Sequence, residues 1–345
     1  MLTQEVIKIS VLAALAFGFA LLATPALTSF LYKNKLGKQI RNDGTTPLFS
    51  QMHKEKAGTP TMGGILIWGT LVILIFFFWL LGRVFKIEFF EHFNFYSRKE
   101  TLLPLGAFVG ASLVGLIDDW LDIRQLGHKG RGLRFRFKII LYALVAAIGA
   151  WWFYFKLGFS LVHLPFVGNV DFGLWFIPFF ILAVVGVSFS VNETDGLDGL
   201  AGGTLMAAFF AYAIIAFAQG KYDLVAFISV VIGALLAFLW FNVYPARFIM
   251  GDTGSMGMGV LLAVVAFLTN SVFLLAFIGF VFMAEAVCLF LQLFWKRFFH
   301  KKLFLSAPIH HHFQALGWPE TKVTMRFWII SGVMSIIGVI IYLLG

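Results

Sequence analysis

The chain has 345 residues, 60% of them hydrophobic and only 12% charged, with a formal net charge of +9. Soluble domains carry about 25% charged residues. The composition therefore excludes an ordinary soluble protein and predicts a polytopic membrane protein built as one domain, 1–345. The single cysteine, Cys288, excludes a disulfide within the chain and reads as a small buried hydrophobe.

Hydropathy predicts an all-α fold of about ten transmembrane helices. In chain order the apolar segments are 9–32, 61–82, 102–117, 138–156, 173–191, 200–218, 223–241, 255–269, 271–295 and 327–344. The first follows Glu5 and Lys8 with no small-residue cleavage site, so it reads as a span rather than a signal peptide. Segment 88–100, with mixed charges and aromatics, reads as an outer loop. The loops alternate in charge. Loops 33–60 and 118–138, segment 296–326 and Arg247 hold 19 of the 26 Lys and Arg residues. The positive-inside rule assigns these segments to the cytoplasm, with both termini outside. The basic residues are juxtamembrane and no nucleic-acid motif is present. The charge therefore fits anionic lipid headgroups or a phosphorylated substrate, and mostly topology, but not nucleic acid.

With that orientation the carboxylates gather on one side. Asp118, Asp119 and Asp122 lie at the inner end of the third span, in GLIDDWLD. Asp195 and Asp198, in NETDGLDGLAGG, precede the sixth, and Asp252, in FIMGDTGSMGMG, precedes the eighth. Carboxylates at a membrane edge are unfavourable and mark functional sites. Two adjacent ones at a helix C-terminus also oppose the helix dipole and repel each other, which a divalent cation would offset. The glycine-rich starts of spans six and eight predict backbone N–H groups free for phosphate. Asp195 and Asp198 would share a face if their turn is helical. Mg²⁺ binds through one or two carboxylates plus substrate phosphates, so the pattern predicts phosphoryl or diphosphate chemistry in a cytoplasmic cleft. An N-cap role explains a single such aspartate as well, but three sites on one side less readily. Lys56, in KAGTPTMGG, offers a point charge for phosphate, though topology alone would explain it. In APIHHHFQALGWPE, three consecutive histidines cannot all face one point on a helix and lack zinc spacing. A polar ligand or acid/base role is the better reading.

The segments HKEKAGTPTMGG, GLIDDW, NETDGLDGLAGG, FNVYPARFIMGDTGS and SAPIHHHFQALGWPE, in this order, resemble the polyprenyl-phosphate N-acetylhexosamine-1-phosphate transferases. The form of the GTPTMGG and PIHHHF stretches is similar to the branch that uses UDP-MurNAc-pentapeptide. The resemblance implies a ten-helix homodimer in the bacterial inner membrane. It would move phospho-MurNAc-pentapeptide onto undecaprenyl phosphate with Mg²⁺, releasing UMP, in contact with membrane lipids. It implies catalytic roles for Asp118, Asp119 and Asp252, the same three as metal ligands with Asp252 foremost. It also implies substrate-site positions at Lys56, Thr61, Lys138, Asn192, Asp195, Asp198, Asn242, His310, His311 and His312. Two positions depart from the family. Asp122 stands where a basic residue is common, and the order Phe248-Ile249-Met250 replaces a Phe directly before Met-Gly-Asp. Either Phe248 stacks on uracil or the nucleobase contact differs.

Other readings use the same residues. A sister transferase acting on UDP-GlcNAc would keep the aspartates but not the PIHHHF loop. A prenyltransferase would use DDxxD but not GTPTMGG. An ion-coupled transporter would place its carboxylates near the midplane, where Glu285 is the clear example.

Overall fold

The structure is a computed structural model and describes residues 2–37, 58–97, 100–127 and 132–345. Each apolar segment becomes a helix, because backbone polar groups surrounded by lipid must be satisfied within the segment itself. The helices are α1 (Leu2–Lys33), α2 (Ile65–Trp79), the short α3 (Glu88–His92), α4 (Leu102–Ile123), α5 (Phe135–Trp151), α6 (Phe176–Thr194) and α7 (Leu200–Ala218). They continue with α8 (Tyr222–Asn242), α9 (Asp252–Leu268), the short α10 (Leu275–Ile278), α11 (Phe280–Phe299), α12 (Ile309–Ala315) and α13 (Glu320–Leu344). Among the described residues eight helices are long and apolar enough to cross a membrane, or nine if α10 and α11 count as one bent span.

Helix α9 explains the shortfall from ten. At 17 residues it is about 26 Å long. It is buried over its whole length, so it needs no lipid-matched exterior. Its small residues let neighbours approach closely: Gly257 faces Ser112 of α4, and Gly259 faces the backbone of Ser188 on α6. Ser188 and Thr253 hydrogen-bond to the carbonyls of Met256 and Ser112 at 2.9 Å each. Helix α8 is also largely buried, packed against α1, α2 and α7, while α1 and α13 are mostly exposed.

Several boundaries differ from those expected, and the differences move the polar residues. Helix α4 continues to Ile123, so Asp118 and Asp119 sit inside it, more than a turn from its end. Helix α9 starts on Asp252 itself, α6 runs past Asn192, and α13 begins at Glu320. The segment expected at 271–295 breaks at Gly279, where the helices on either side meet at 85°. Segment 88–100 contains α3, and an antiparallel hairpin, β1 (Leu161–Leu164) with β2 (Gly168–Asp171), joins α5 to α6. The hairpin is tied to the rest by His163 N–H on Asn270 Oδ1 and by Phe166 N–H on the Gly345 carbonyl.

Candidate active site

The last turns of α4, the first turn of α5 and the start of α9 meet at one end of the bundle. Lys138 Nζ lies 2.5 Å from Asp118 Oδ2 and 2.7 Å from Asp252 Oδ2. One ammonium thus joins carboxylates from two different helices. Asp118 Oδ1 also accepts the Leu133 N–H at 2.7 Å, which ties the loop before α5 to α4. From α6, Asn192 Nδ2 donates to Asp252 Oδ1 at 3.0 Å and to Ser255 Oγ at 2.8 Å. Asp252 is therefore held through both of its oxygens.

Asp119 does something else. Its two oxygens accept the N–H groups of Asp252 at 3.2 Å and Thr253 at 3.0 Å, so it caps α9 from a different helix. A carboxylate there satisfies orphan N–H donors and complements the positive end of the helix dipole. Neighbouring helix residues point about 100° apart, which is why the two aspartates serve different partners. Among the described residues no three His, Cys, Asp or Glu side chains are placed together to hold a metal. What the structure does offer is a carboxylate pair, Asp118 and Asp252, already converging on one positive charge. That pair fits Mg²⁺, which takes one or two carboxylates and completes its shell from phosphates and water.

The glycine-rich helix starts also differ from expectation. At the start of α9 and in the turn before α7, several N–H groups are occupied by side chains. Gly251 N–H meets Asp195 Oδ2 at 3.2 Å, Asp198 N–H meets Glu320 Oε1 at 2.6 Å, and Gly199 N–H meets Asn242 Oδ1 at 3.0 Å. The 195–199 turn is not helical, so Asp195 and Asp198 diverge: Asp198 Oδ2 accepts the Ala246 N–H at 3.0 Å, while Asp195 reaches Gly251. Gly251 has φ 73°, a conformation that side chains disfavour. A Cβ on it would fall 2.5 Å from Thr61 Oγ1 and 2.6 Å from Asp119 Oδ2. Thr61 is thereby placed beside the cluster, and the turn that follows it is tied to 249–250: Gly63 and Gly64 donate to the carbonyls of Ile249 and Met250 at 2.9 Å. Lys56 lies outside the described residues.

Phe248 is fully buried, packed against Phe238 and Phe241 with ring centroids 5.7 and 6.2 Å apart, and presents no face to a nucleobase. Asn242 fixes its backbone by donating to the Phe248 carbonyl at 2.9 Å. The three histidines point three ways, as consecutive helical residues must. His310 meets Glu285, His311 meets Gln314 Oε1 at 2.9 Å, and His312 accepts the Leu305 N–H. Beside them opens a cleft of about 610 Å³ between Asp198, the 244–246 segment and the 314–321 segment, with Trp318, Pro319 and Glu320 on its wall. Sequence reading missed Glu320 and Ser255. Glu320 follows Trp-Pro at a helix start, which is a signal for a first-turn carboxylate; its bond to the 195–199 turn spans 122 residues and leaves none.

Comparison with known proteins places this geometry. Residues 101–270 match the model of glycosyl transferase family 4, and residues 56–67 match signature 1 of phospho-N-acetylmuramoyl-pentapeptide-transferase. The phospho-N-acetylmuramoyl-pentapeptide-transferase of Chloroflexus aurantiacus is 40% identical over 98% of this chain and 90% of its own length. This chain belongs to the phospho-N-acetylmuramoyl-pentapeptide-transferase family. Enzymes of the same name from Anoxybacillus flavithermus and Clostridium novyi are 36% identical over 95% and 94% of this chain, and 96% and 93% of theirs. Membership makes the chain a multi-pass membrane phosphoglycosyl transferase, a class that works between a nucleotide-sugar and a lipid carrier. The Asp118–Lys138–Asp252 cluster, Asn192 and the 195–199 turn all fall within the residues that the glycosyl transferase family 4 model matches.

Proposed function

We propose that this chain transfers phospho-MurNAc-pentapeptide from UDP-MurNAc-pentapeptide to undecaprenyl phosphate, giving lipid I and UMP. The observation that carries the reading is the convergence of Asp118, Lys138 and Asp252 from three helices at a bundle end, in a chain so similar to named transferases over nearly its full length. The basic residues of the motif-bearing segments support a cytoplasmic site in the bacterial plasma membrane, with both termini outside. The reading extends to a homodimer with one catalytic domain per chain.

The reaction is a displacement at the sugar-linked phosphorus. An oxygen of the lipid phosphate forms the new P–O bond, and the bond from that phosphorus to the bridging oxygen breaks. UMP departs with the bridging oxygen and its electron pair. The barrier is electrostatic, because an anion attacks a diphosphate. Lys138 carries the positive charge at the point where the two carboxylates meet, and its role is to receive a phosphate oxygen there. Asp118, anchored by Leu133, positions the incoming lipid phosphate for direct attack. Asp252 is kept from rotating by Asn192. Mg²⁺ would supply further charge neutralisation on the diphosphate, held by Asp252 and Asp118. Asp119 keeps α9, and with it Asp252, in place. Substrate contacts fall to Thr61, Asp195, Asp198, Asn242 and the 310–312 histidines, and, by its place in the sequence motif alone, to Lys56. Purified protein should release UMP from the two substrates only with Mg²⁺. Absence of release from folded protein would refute the reading. A labelled phospho-aspartate trapped without lipid acceptor would replace direct attack by a covalent route.

A further inference from the structure

One buried carboxylate lies outside this chemistry. Glu285 sits on α11, six residues beyond the 85° break, and is wholly inaccessible, as is His310 on α12. Glu285 Oε1 lies 3.0 Å from His310 Nδ1, and Oε2 accepts the His310 backbone N–H at 3.4 Å. The carboxyl group therefore grips both the ring and the first turn of α12. On the ring's other edge, Nε2 lies against Gly196, where a Cβ would collide with it. Gly196 is in the turn that carries Asp195 and Asp198. A carboxylate in a lipid-embedded helix is strongly unfavourable unless it is neutral or paired. Two net-neutral arrangements exist. Either Glu285 is protonated and donates to Nδ1, or it is ionised against an imidazolium. In both, Nε2 carries a hydrogen.

We propose that Glu285 is a positioning residue for the transfer reaction, holding the His310 ring in one tautomer so that its Nε2–H edge packs on Gly196 and keeps the turn that carries Asp195 and Asp198 in place. The inference rests on the proposed transferase reading for its kinetic consequence but not for its geometry. Pressed on Gly196, the ring edge fixes the turn that carries Asp195 and Asp198. Glu285 acts only through His310.

The test separates proton placement from packing. In Glu285→Gln the amide oxygen accepts the His310 N–H and the NH₂ donates to Nδ1, so Nε2 keeps its hydrogen. That variant should stay within about threefold of the native kcat/KM. Glu285→Leu keeps the volume but fixes neither the ring nor its tautomer. It should lose about 10- to 100-fold, the range seen when the carboxylate behind a functional histidine is removed. In a His310→Ala background, Glu285→Leu should cause no further loss. Nitrogen-15 spectra of the substrate-free, histidine-labelled protein should show Nε2 protonated in the native chain and in Glu285→Gln, and a mixture in Glu285→Leu. The spectra stand whether or not UMP is the product, so failure of the function and failure of the pairing are told apart. A native His310 with hydrogen on Nδ1 alone, a Glu285→Gln as impaired as Glu285→Leu, or a Glu285→Leu loss that persists undiminished without His310 would each overturn the proposal.

Discussion

Two ends of the bundle draw charge out of water, and they partner it differently. At the end where α1 and α8 begin, the charged groups bind helix-end neighbours rather than one shared ion. Lys8, 6% exposed, lies 3.3 Å from Asp223 and from the Asn94 carbonyl. Glu100 accepts the Leu224 N–H, and Lys221 Nζ donates to the Leu268 carbonyl at 2.5 Å. These contacts close helix ends and join α1 to α8. At the end where α4 finishes, one ammonium is shared by two carboxylates, and a third carboxylate holds the helix that presents one of them. Charges spent on closing helix ends brace a fold. Convergence of several charges on a point, with each held by a further group, prepares a place for a charged ligand.

The comparison breaks first if function does not respect it. Asp252→Asn removes a charge from the convergent end while keeping the bond from Asn192 possible. It should lower the rate of UMP release about 10²- to 10³-fold, the scale for losing one preorganised electrostatic group, with the melting temperature near native. Lys8→Met, at the other end, should leave the rate within about twofold, since distant sites behave independently. A comparable loss from Lys8→Met would mean that the two ends are not separable.

Gly251→Ala sharpens the role of backbone at the convergent end. The substitution forces a Cβ into the left-handed region and toward Thr61 and Asp119. We expect about 1–3 kcal/mol of lost stability, read by thermal unfolding in detergent, with a fall in activity beyond what the lost folded fraction explains. Native stability in this variant would show that the α9 start tolerates displacement, and that Asp119 does not fix it.

The Lys8–Asp223 pair should contribute less. Asp223 is partly exposed, and such pairs give about 0–1 kcal/mol. A double-mutant cycle of Lys8→Met and Asp223→Asn on melting temperature measures it. A coupling several-fold above that range would make this pair a major brace of the α1–α8 contact.

These partnerships were unequally legible in the sequence. The membrane architecture follows from apolar length alone, since lipid leaves the backbone few alternatives to a helix. That Asp118 and Asp119 face apart follows from helical pitch. What Asp119 faces does not follow, because its partners lie more than 130 residues away. Helix ends were read too far inward wherever a polar residue begins or ends a span, as at Asp252 and Glu320, because hydropathy loses its signal where capping takes over. The hairpin at 161–171 was missed because two four-residue strands give too short an alternation among apolar neighbours. Glu285 was visible as a lone intramembrane carboxylate, but its partner His310 lies across a helix and a loop, and only packing reveals the pair.

The smallest expected effect concerns Glu100, and its sign is unusual for a carboxylate. Burial pushes its pKa above the ordinary 4.5 and nearby Asp223 adds to this, while the Leu224 N–H pulls the other way. The folded state thus holds the Glu100 proton to higher pH than the unfolded chain does. Over that window the folded state binds more protons, so stability falls as pH rises. The contribution is fully present below the unfolded pKa and is lost as pH passes through the raised folded value. Glu100→Gln keeps an oxygen for the Leu224 N–H and has no charge to desolvate. Its melting temperature should therefore match the native protein near pH 4 and exceed it by a growing margin toward neutral pH. A gap that is flat with pH would mean that Glu100 keeps its charge at little cost, and that this end of the bundle is more open to water than its packing indicates.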